Sequence, residues 1–200
     1  MQNFSIAILA GGMSRRFGRD KSLAIIYGQP FYKLCFEKAS RISDDVMLVA
    51  KDISKYPDLL GLKKVEDFSQ EIQTPLMGIY SSLLNALYDK VFIWSVDAPL
   101  LKAEIIKTIV EKIEGYDASV PEISGKVHPL LACYKKDTAY RLHHFIENGN
   151  LKVMTFLEMI KTNYIDKSYF VCTDPQLISF SNINTEEDLL YLENKISIEK

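Results

Sequence analysis

From Leu9 to Lys21 the chain reads Leu-Ala-Gly-Gly-Met-Ser-Arg-Arg-Phe-Gly-Arg-Asp-Lys. Paired glycines, a hydroxyl and the cations Arg15, Arg16, Arg19 and Lys21 have the chemistry of a phosphate holder. Gly11 and Gly12 lack a Cβ, so the backbone can turn sharply and come close to a ligand. Several peptide N–H groups can then converge on one anion, with Ser14 adding a hydroxyl. Guanidinium forks suit phosphate oxygens, and a lysine supplies a point charge. The loop is not a Walker A sequence, because no glycine precedes Gly18 at the required spacing and Arg19 follows it. The Gly-x-Gly-x-x-Gly dinucleotide fingerprint is also absent. A basic surface loop after a first strand is the plainer alternative.

Asp97 is the second residue with chemical potential. It follows the apolar run Val91-Phe92-Ile93-Trp94-Ser95-Val96 and precedes Ala98-Pro99. A carboxylate there is a hard oxygen ligand suited to Mg²⁺ held jointly with substrate phosphates. It is equally a good helix N-cap, with a proline close behind. No Cys-x-x-Cys pair is present for zinc or redox work. His143 and His144 are adjacent on an expected helix and cannot share a face, which suggests surface or helix-end placement.

Strands and helices alternate in the order needed to gather these residues. Phe4–Leu9, Val46–Ala50, Lys63–Glu66 and Val91–Val96 read as strands, the last as one buried on both faces. Helices are expected after Pro30, after Pro75 and over Ile105–Ile113. In the less regular second half, Ala118–Pro121, Val127–Tyr134 and Tyr169–Cys172 read as strands. Asp137–Asn148 and Leu151–Ile160 read as helices. A closing helix is expected from Thr185, where Thr185 and Asp188 have capping-box spacing. This cadence indicates a doubly wound α/β sheet. Ligands of such sheets bind beyond the carboxyl ends of the strands, so Gly11, Asp67 and Asp97 should meet at one rim.

The bulk properties agree with a small anionic ligand. The chain has 200 residues, 48% hydrophobic and 25% charged, with a net charge of −2. That length fits one domain or a tight pair of lobes. The charge argues against a general nucleic-acid binder, and no apolar stretch has the length of a membrane span. The N-terminus lacks the charged region and cleavage pattern of a signal peptide. Cys35, Cys133 and Cys172 are widely spaced and read as reduced core thiols in a cytoplasm.

The motif from Leu9 to Lys21 resembles the signature of the molybdenum cofactor guanylyltransferases. Matching segments follow in the family's order: Pro75-Leu76-Met77-Gly78-Ile79, Asp97-Ala98-Pro99-Leu100, His128-Pro129-Leu130, and Asn182-Ile183-Asn184-Thr185 with Asp188-Leu189. The resemblance implies a nucleotide-diphospho-sugar-transferase-like Rossmann variant: three layers around a mostly parallel sheet. It implies one nucleotidyltransferase domain over 1–200, nucleotide-binding to about residue 100 and acceptor-binding beyond. The implied reaction moves GMP from Mg-GTP to molybdopterin, free or carrying molybdenum, and releases pyrophosphate. Apo-molybdoenzymes or their chaperones would receive the product. Cytidylyl transfer, transfer to a sugar phosphate, and a non-catalytic nucleotide or cofactor carrier are the alternatives.

By the same resemblance, Lys21, Arg16 and Asp97 are catalytic, with Asp97 also holding Mg²⁺. Leu9, Ala10, Gly11, Gly12, Ser14, Lys21, Lys51, Asp67 and Asp97 bind the nucleotide, Asp67 reading guanine or ribose. His128, Asn182 and Asn184 line the acceptor side. Arg15 and Arg19 match variable positions and are expected to face solvent. The chain departs from the family pattern at several positions. Thr74 replaces a glycine, Phe17 a methionine and Val96 a cysteine. Lys51 stands near a base-reading asparagine, and Leu151-Lys152 lies where arginines are common.

Overall fold

The computed structural model describes residues 3–10, 20–68 and 74–190. The strands are β1 (Ser5–Leu9), β2 (Ile25–Ile26), β3 (Gln29–Pro30), β4 (Asp45–Ala50), β5 (Leu62–Glu66), β6 (Lys90–Ser95), β7 (Ala118–Ile123), β8 (Lys126–Val127), β9 (Leu131–Lys135) and β10 (Thr162–Asp166). The helices are α1 (Phe31–Ala39), α2 (Pro75–Asn85), α3 (Ala103–Glu111), α4 (Thr138–Glu147) and α5 (Val153–Met159). The main sheet runs β10-β7-β9-β6-β1-β4-β5, with β8 paired to β7; β2 and β3 form a separate hairpin. β6, β1, β4 and β5 are mutually parallel, and β9 is antiparallel to both β6 and β7.

Alternation along the central strands produces the three layers. Ile6, Ile8, Val46, Leu48, Phe92 and Trp94 point into one core with Phe31, Cys35 and Phe36 of α1 and Ile105, Ile106 and Ile109 of α3. Ala7, Leu9, Met47, Val49, Val91 and Ile93 point into the other, with residues of α2, α4 and α5. Side chains on successive strand residues face opposite ways, and strands buried on both faces are therefore apolar throughout. Gly78 of α2 sits where helix and sheet approach closely: a Cβ there would lie 3.3 Å from Leu9 Cδ1.

The second half corrects several sequence expectations. The expected strand Val127–Tyr134 is two short strands, β8 and β9, separated by a turn at His128–Leu130. Tyr169–Cys172 is not a strand; a 3₁₀ turn over Lys167–Tyr169 occupies its start. The strand in this region is β10, on the sheet edge beside β7. Cys35 and Cys133 are buried thiols, whereas Cys172 is exposed rather than part of the core. Among the described residues no helix is long and apolar enough to cross a membrane.

Candidate active site

The order β5-β4-β1-β6 reverses direction at β1, because β4 and β5 lie to one side of it and β6 to the other. Such a reversal opens a crevice beyond the carboxyl ends of the strands. Ala10, Lys51, Asp67 and Asp97 stand just past β1, β4, β5 and β6 respectively, on one rim. Main-chain bonds continue past the strand ends and fix that rim. Ala10 N–H donates to Val49 C=O (2.9 Å), Asp67 N–H to Ala50 C=O (2.9 Å) and Val96 N–H to Leu9 C=O (3.1 Å). From Asp97 to Asp67 is three strand spacings, roughly 14 Å.

Asp97 is held by its surroundings rather than by a helix. Its turn closes with Ala98 N–H on Ser95 C=O (3.1 Å), and Ile183 N–H donates to the Asp97 carbonyl (2.7 Å). The Trp94 indole donates to Ala98 C=O (3.0 Å). Lys38 of α1 donates to Pro99 C=O (2.8 Å) and Leu101 C=O (3.4 Å). Burial lowers the Lys38 pKa below the usual lysine range. The N-cap alternative for Asp97 does not hold, since α3 begins at Ala103 with Lys102 at its N-cap. Instead Asp97 Oδ2 lies 3.6 Å from Lys21 Nζ. Asp97 Oδ1 is buried and has no hydrogen-bond partner among the described residues. A buried carboxylate oxygen left open in this way has the chemistry of a hard-cation ligand.

Lys21 is placed by a short local device. Asp20 Oδ1 accepts Ser22 N–H (3.2 Å) and Ser22 Oγ–H (2.6 Å), which caps the 3₁₀ turn Lys21–Leu23. Ser22 Oγ lies 2.7 Å from the Tyr56 hydroxyl, which reaches Ala10 C=O at 3.3 Å. Burial pushes the Tyr56 phenol up to about 12, so it remains protonated at neutral pH. Lys21 Nζ donates to Asn184 Oδ1 at 2.8 Å. A lysine ammonium can only donate, so the amide atom facing it is the oxygen.

A second group forms at the far end of the rim. Asp67 Oδ1 accepts Ser81 Oγ–H (2.8 Å) and Phe68 N–H (3.1 Å). Burial raises its pKa above the usual aspartate value, partly offset by those two bonds and by the charge of Lys51. Thr74, where the sequence resemblance implies a glycine, caps α2 at Leu76 N–H and donates to Leu151 C=O at 2.8 Å. A glycine could supply neither bond.

The structure therefore brings Lys21, Asp97 and Asn184 into contact and sets Lys51 beside Asp67. His128 is buried against the Phe180 ring, centroids 5.3 Å apart. Burial and the Lys126 charge lower its pKa to about 4, against the opposing pull of Asp97. It is neutral at pH 7. Asn182 lies two residues before Asn184 and is partly buried. Gly11, Gly12, Ser14 and Arg16, with Arg15 and Arg19, lie outside the described residues. His143 and His144 sit on α4, half-buried and exposed. Sequence reading missed Lys38, Trp94, Ser22, Tyr56 and Ser81. Only Ser22 had a local signal, the Asp-x-Ser spacing of an Asx turn.

Residues 6–162 match the MobA-like NTP transferase domain. The chain belongs to that family. It is 34% identical over 191 residues to the probable molybdenum cofactor guanylyltransferase of Natranaerobius thermophilus, covering 94% of this chain and 93% of that one. It is 30% identical to the molybdenum cofactor guanylyltransferase of Desulfosudis oleivorans, covering 91% and 90%. The crystal structure of molybdopterin-guanine dinucleotide biosynthesis protein A from Archaeoglobus fulgidus superposes with a TM-score of 0.82 at 27% identity, covering 96% of this chain and 98% of that one. The 2-C-methyl-D-erythritol 4-phosphate cytidylyltransferase of Thermus thermophilus shares the fold at a TM-score of 0.72 and 15% identity. The chain is thus a nucleotidyltransferase, and the expected three-layer, mostly parallel α/β class is the one observed.

Proposed function

We propose that this MobA-like transferase moves GMP from Mg-GTP to the terminal phosphate of molybdopterin, with or without bound molybdenum, and releases pyrophosphate. The observation that carries this reading is the 3.6 Å approach of Lys21 Nζ to Asp97 Oδ2, beside the open Asp97 Oδ1, at the switch point of the sheet. The names of the relatives at 34% and 30% identity support the guanine and pterin substrates.

The attacking group needs no general base. A phosphate monoester has its second pKa near 6 and is already an anion at pH 7. Catalysis of an in-line displacement at the α-phosphorus then reduces to positioning and charge neutralisation. Lys21 supplies a fixed cation for the phosphate tail and the departing pyrophosphate. Gly11, Gly12, Ser14 and Arg16 would add N–H groups, a hydroxyl and a second cation. Asp97 is the residue that would hold Mg²⁺, its open oxygen fitting a hard cation. When bound, that ion neutralises phosphate charge and orients the reacting phosphoryl group.

Guanine lies, on this reading, at the Asp67 end of the rim. Asp67 Oδ1 is occupied by Ser81 and Phe68, so Oδ2 would face the ring N–H and amino group of the base. The Lys51 charge would favour the ionised form of Asp67 against the larger opposing effect of burial, and the Leu9 and Ala10 main chain would complete the pocket. The second half of the chain, with His128, Asn182 and nearby residues, would take the pterin. Neutral His128 could contact it without adding charge. The reaction is assigned to the cytoplasm, and apo-molybdoenzymes or their chaperones are the recipients.

Thermal denaturation in Mg²⁺ with GTP, CTP, ATP or UTP tests the base assignment. A ligand at a hundred times its Kd stabilises the native state by about 2.7 kcal/mol. For a domain of this size that is a rise of roughly 5–10 °C in Tm. GTP is expected to give that rise and the others little. A larger rise with CTP would overturn the guanine reading in favour of cytidylyl transfer.

A further inference from the structure

The contact between Lys21 and Asn184 joins residues 163 positions apart, and the segment bearing Asn184 is fixed from both sides. Upstream, Ile183 is fully buried and its N–H is bonded to the carbonyl of Asp97 at 2.7 Å. Downstream, Asn184 N–H and Thr185 N–H both donate to Asp188 Oδ2 at 2.8 and 2.9 Å. Asp188 N–H returns a bond to Thr185 Oγ1 at 3.0 Å. These bonds hold the Asp188 carboxyl below the usual aspartate range, so the anchor stays ionised near neutrality. The Asn184 side chain takes no part in this reciprocal cap. Its carbonyl oxygen is left to meet Lys21.

We propose that Asn184 is a positioning residue for Lys21, aiming the ammonium at the phosphate site, rather than a contact for the acceptor. The proposal rests on the reading of Lys21 as the phosphate-binding lysine. A neutral amide suits this task. It orients the cation without adding, beside Asp97, a second negative charge that would repel a triphosphate. Because Ile183 hangs on the Asp97 carbonyl, one short segment sets the position of Lys21 relative to Asp97. The C-terminal region thereby contributes to the nucleotide site, although the sequence resemblance placed it on the pterin side.

The test is Mg-GTP binding by calorimetry without acceptor, together with steady-state KM values for both substrates. Wild type, Asn184→Ala, Asn184→Asp, Lys21→Ala and the Lys21→Ala/Asn184→Ala double variant are compared. A hydrogen bond to a charged group, discounted for partial exposure, corresponds to about a tenfold change in affinity. Asn184→Ala is expected to raise the Mg-GTP Kd about tenfold and leave the acceptor KM within about twofold. In the Lys21→Ala background the same change should have no further effect, the non-additivity of residues acting through one another. Asn184→Asp should weaken Mg-GTP binding at least as much, by adding an anion beside the triphosphate. Two outcomes overturn the proposal while leaving the proposed reaction intact. One is an unchanged Mg-GTP Kd with a raised acceptor KM. The other is an equal loss in both backgrounds, as a merely structural role would give. If Lys21→Ala itself leaves the Mg-GTP Kd unchanged, the underlying reading of Lys21 fails, and the proposal with it.

Discussion

Replacement of Asp97 by Asn is expected to lower kcat for GMP transfer by about a hundredfold to a thousandfold without unfolding the protein. The magnitude follows from the cost of removing a preorganised charge at a reacting centre, about 2.7–4 kcal/mol. Asparagine keeps the size and shape of the side chain but offers a neutral, weaker oxygen to a hard cation. The turn should survive, because its bonds from Val96, Ala98, Trp94, Lys38 and Ile183 involve main-chain atoms around Asp97 and not its carboxylate. The lost ion pair with Lys21 is partly exposed, and such pairs contribute about 0–1 kcal/mol. The Tm should therefore move by only a few degrees. Pyrophosphate release measured beside a melting curve reads both effects. Activity within about fivefold of wild type would remove Asp97 from the chemistry.

Lys21→Ala should lower kcat/KM for Mg-GTP by about a hundredfold to a thousandfold. An ammonium facing the phosphates acts on the bound substrate and, more strongly, on the charge that develops as pyrophosphate departs. The loss should therefore appear in kcat as well as in KM. Lys55 supplies the control. It pairs with Asp20 and Asp52 on the surface nearby, yet stands outside the Lys21–Asp97–Asn184 contacts. Lys55→Ala should leave activity within about twofold, which separates a specific role of Lys21 from general loss of positive charge. Equal losses in the two variants would contradict that role.

What could be read from the residues follows the physics of each region. β1, β4 and β6 are buried on both faces, and such strands announce themselves as continuous apolar runs. Of the residues expected on one rim, Asp67 and Asp97 stand just past β5 and β6 there, and Gly11 lies outside the described residues. β10 carries Thr162, Asn163 and Asp166 on a sheet edge and has no such run. Its aromatic neighbour Tyr169–Cys172 looked more strand-like, yet there only Phe170 is buried, beneath a turn. The His128-Pro129 turn broke an apolar run that periodicity alone would have made one strand. The β2–β3 hairpin is marked in the sequence by Gly28 alone: Tyr27 and Gly28 both have positive φ, 50° and 77°, as a two-residue hairpin turn requires, and tyrosine does not favour that conformation.

The site was legible to the extent that its chemistry lies in short motifs. Lys21 and Asp97 each stand out within a separate motif, and folding brings their side chains within 3.6 Å. The capping box at Thr185 and Asp188 was also legible, being local. Lys38 and Trp94, which hold the Asp97 turn, were not, because they act through carbonyl groups on other segments. Asn184 shows the limit most clearly. Its type suggested a turn or an acceptor contact, and nothing local indicates that its amide would meet a lysine at the other end of the chain.

The most direct test of the account follows the label from α-³²P-GTP when the protein is supplied with Mg²⁺ and molybdopterin. The account predicts label in a pterin–guanine dinucleotide, formed with one equivalent of pyrophosphate and abolished by chelating the metal. GTP bound without pyrophosphate release, or label transferred from CTP in preference to GTP, would contradict it.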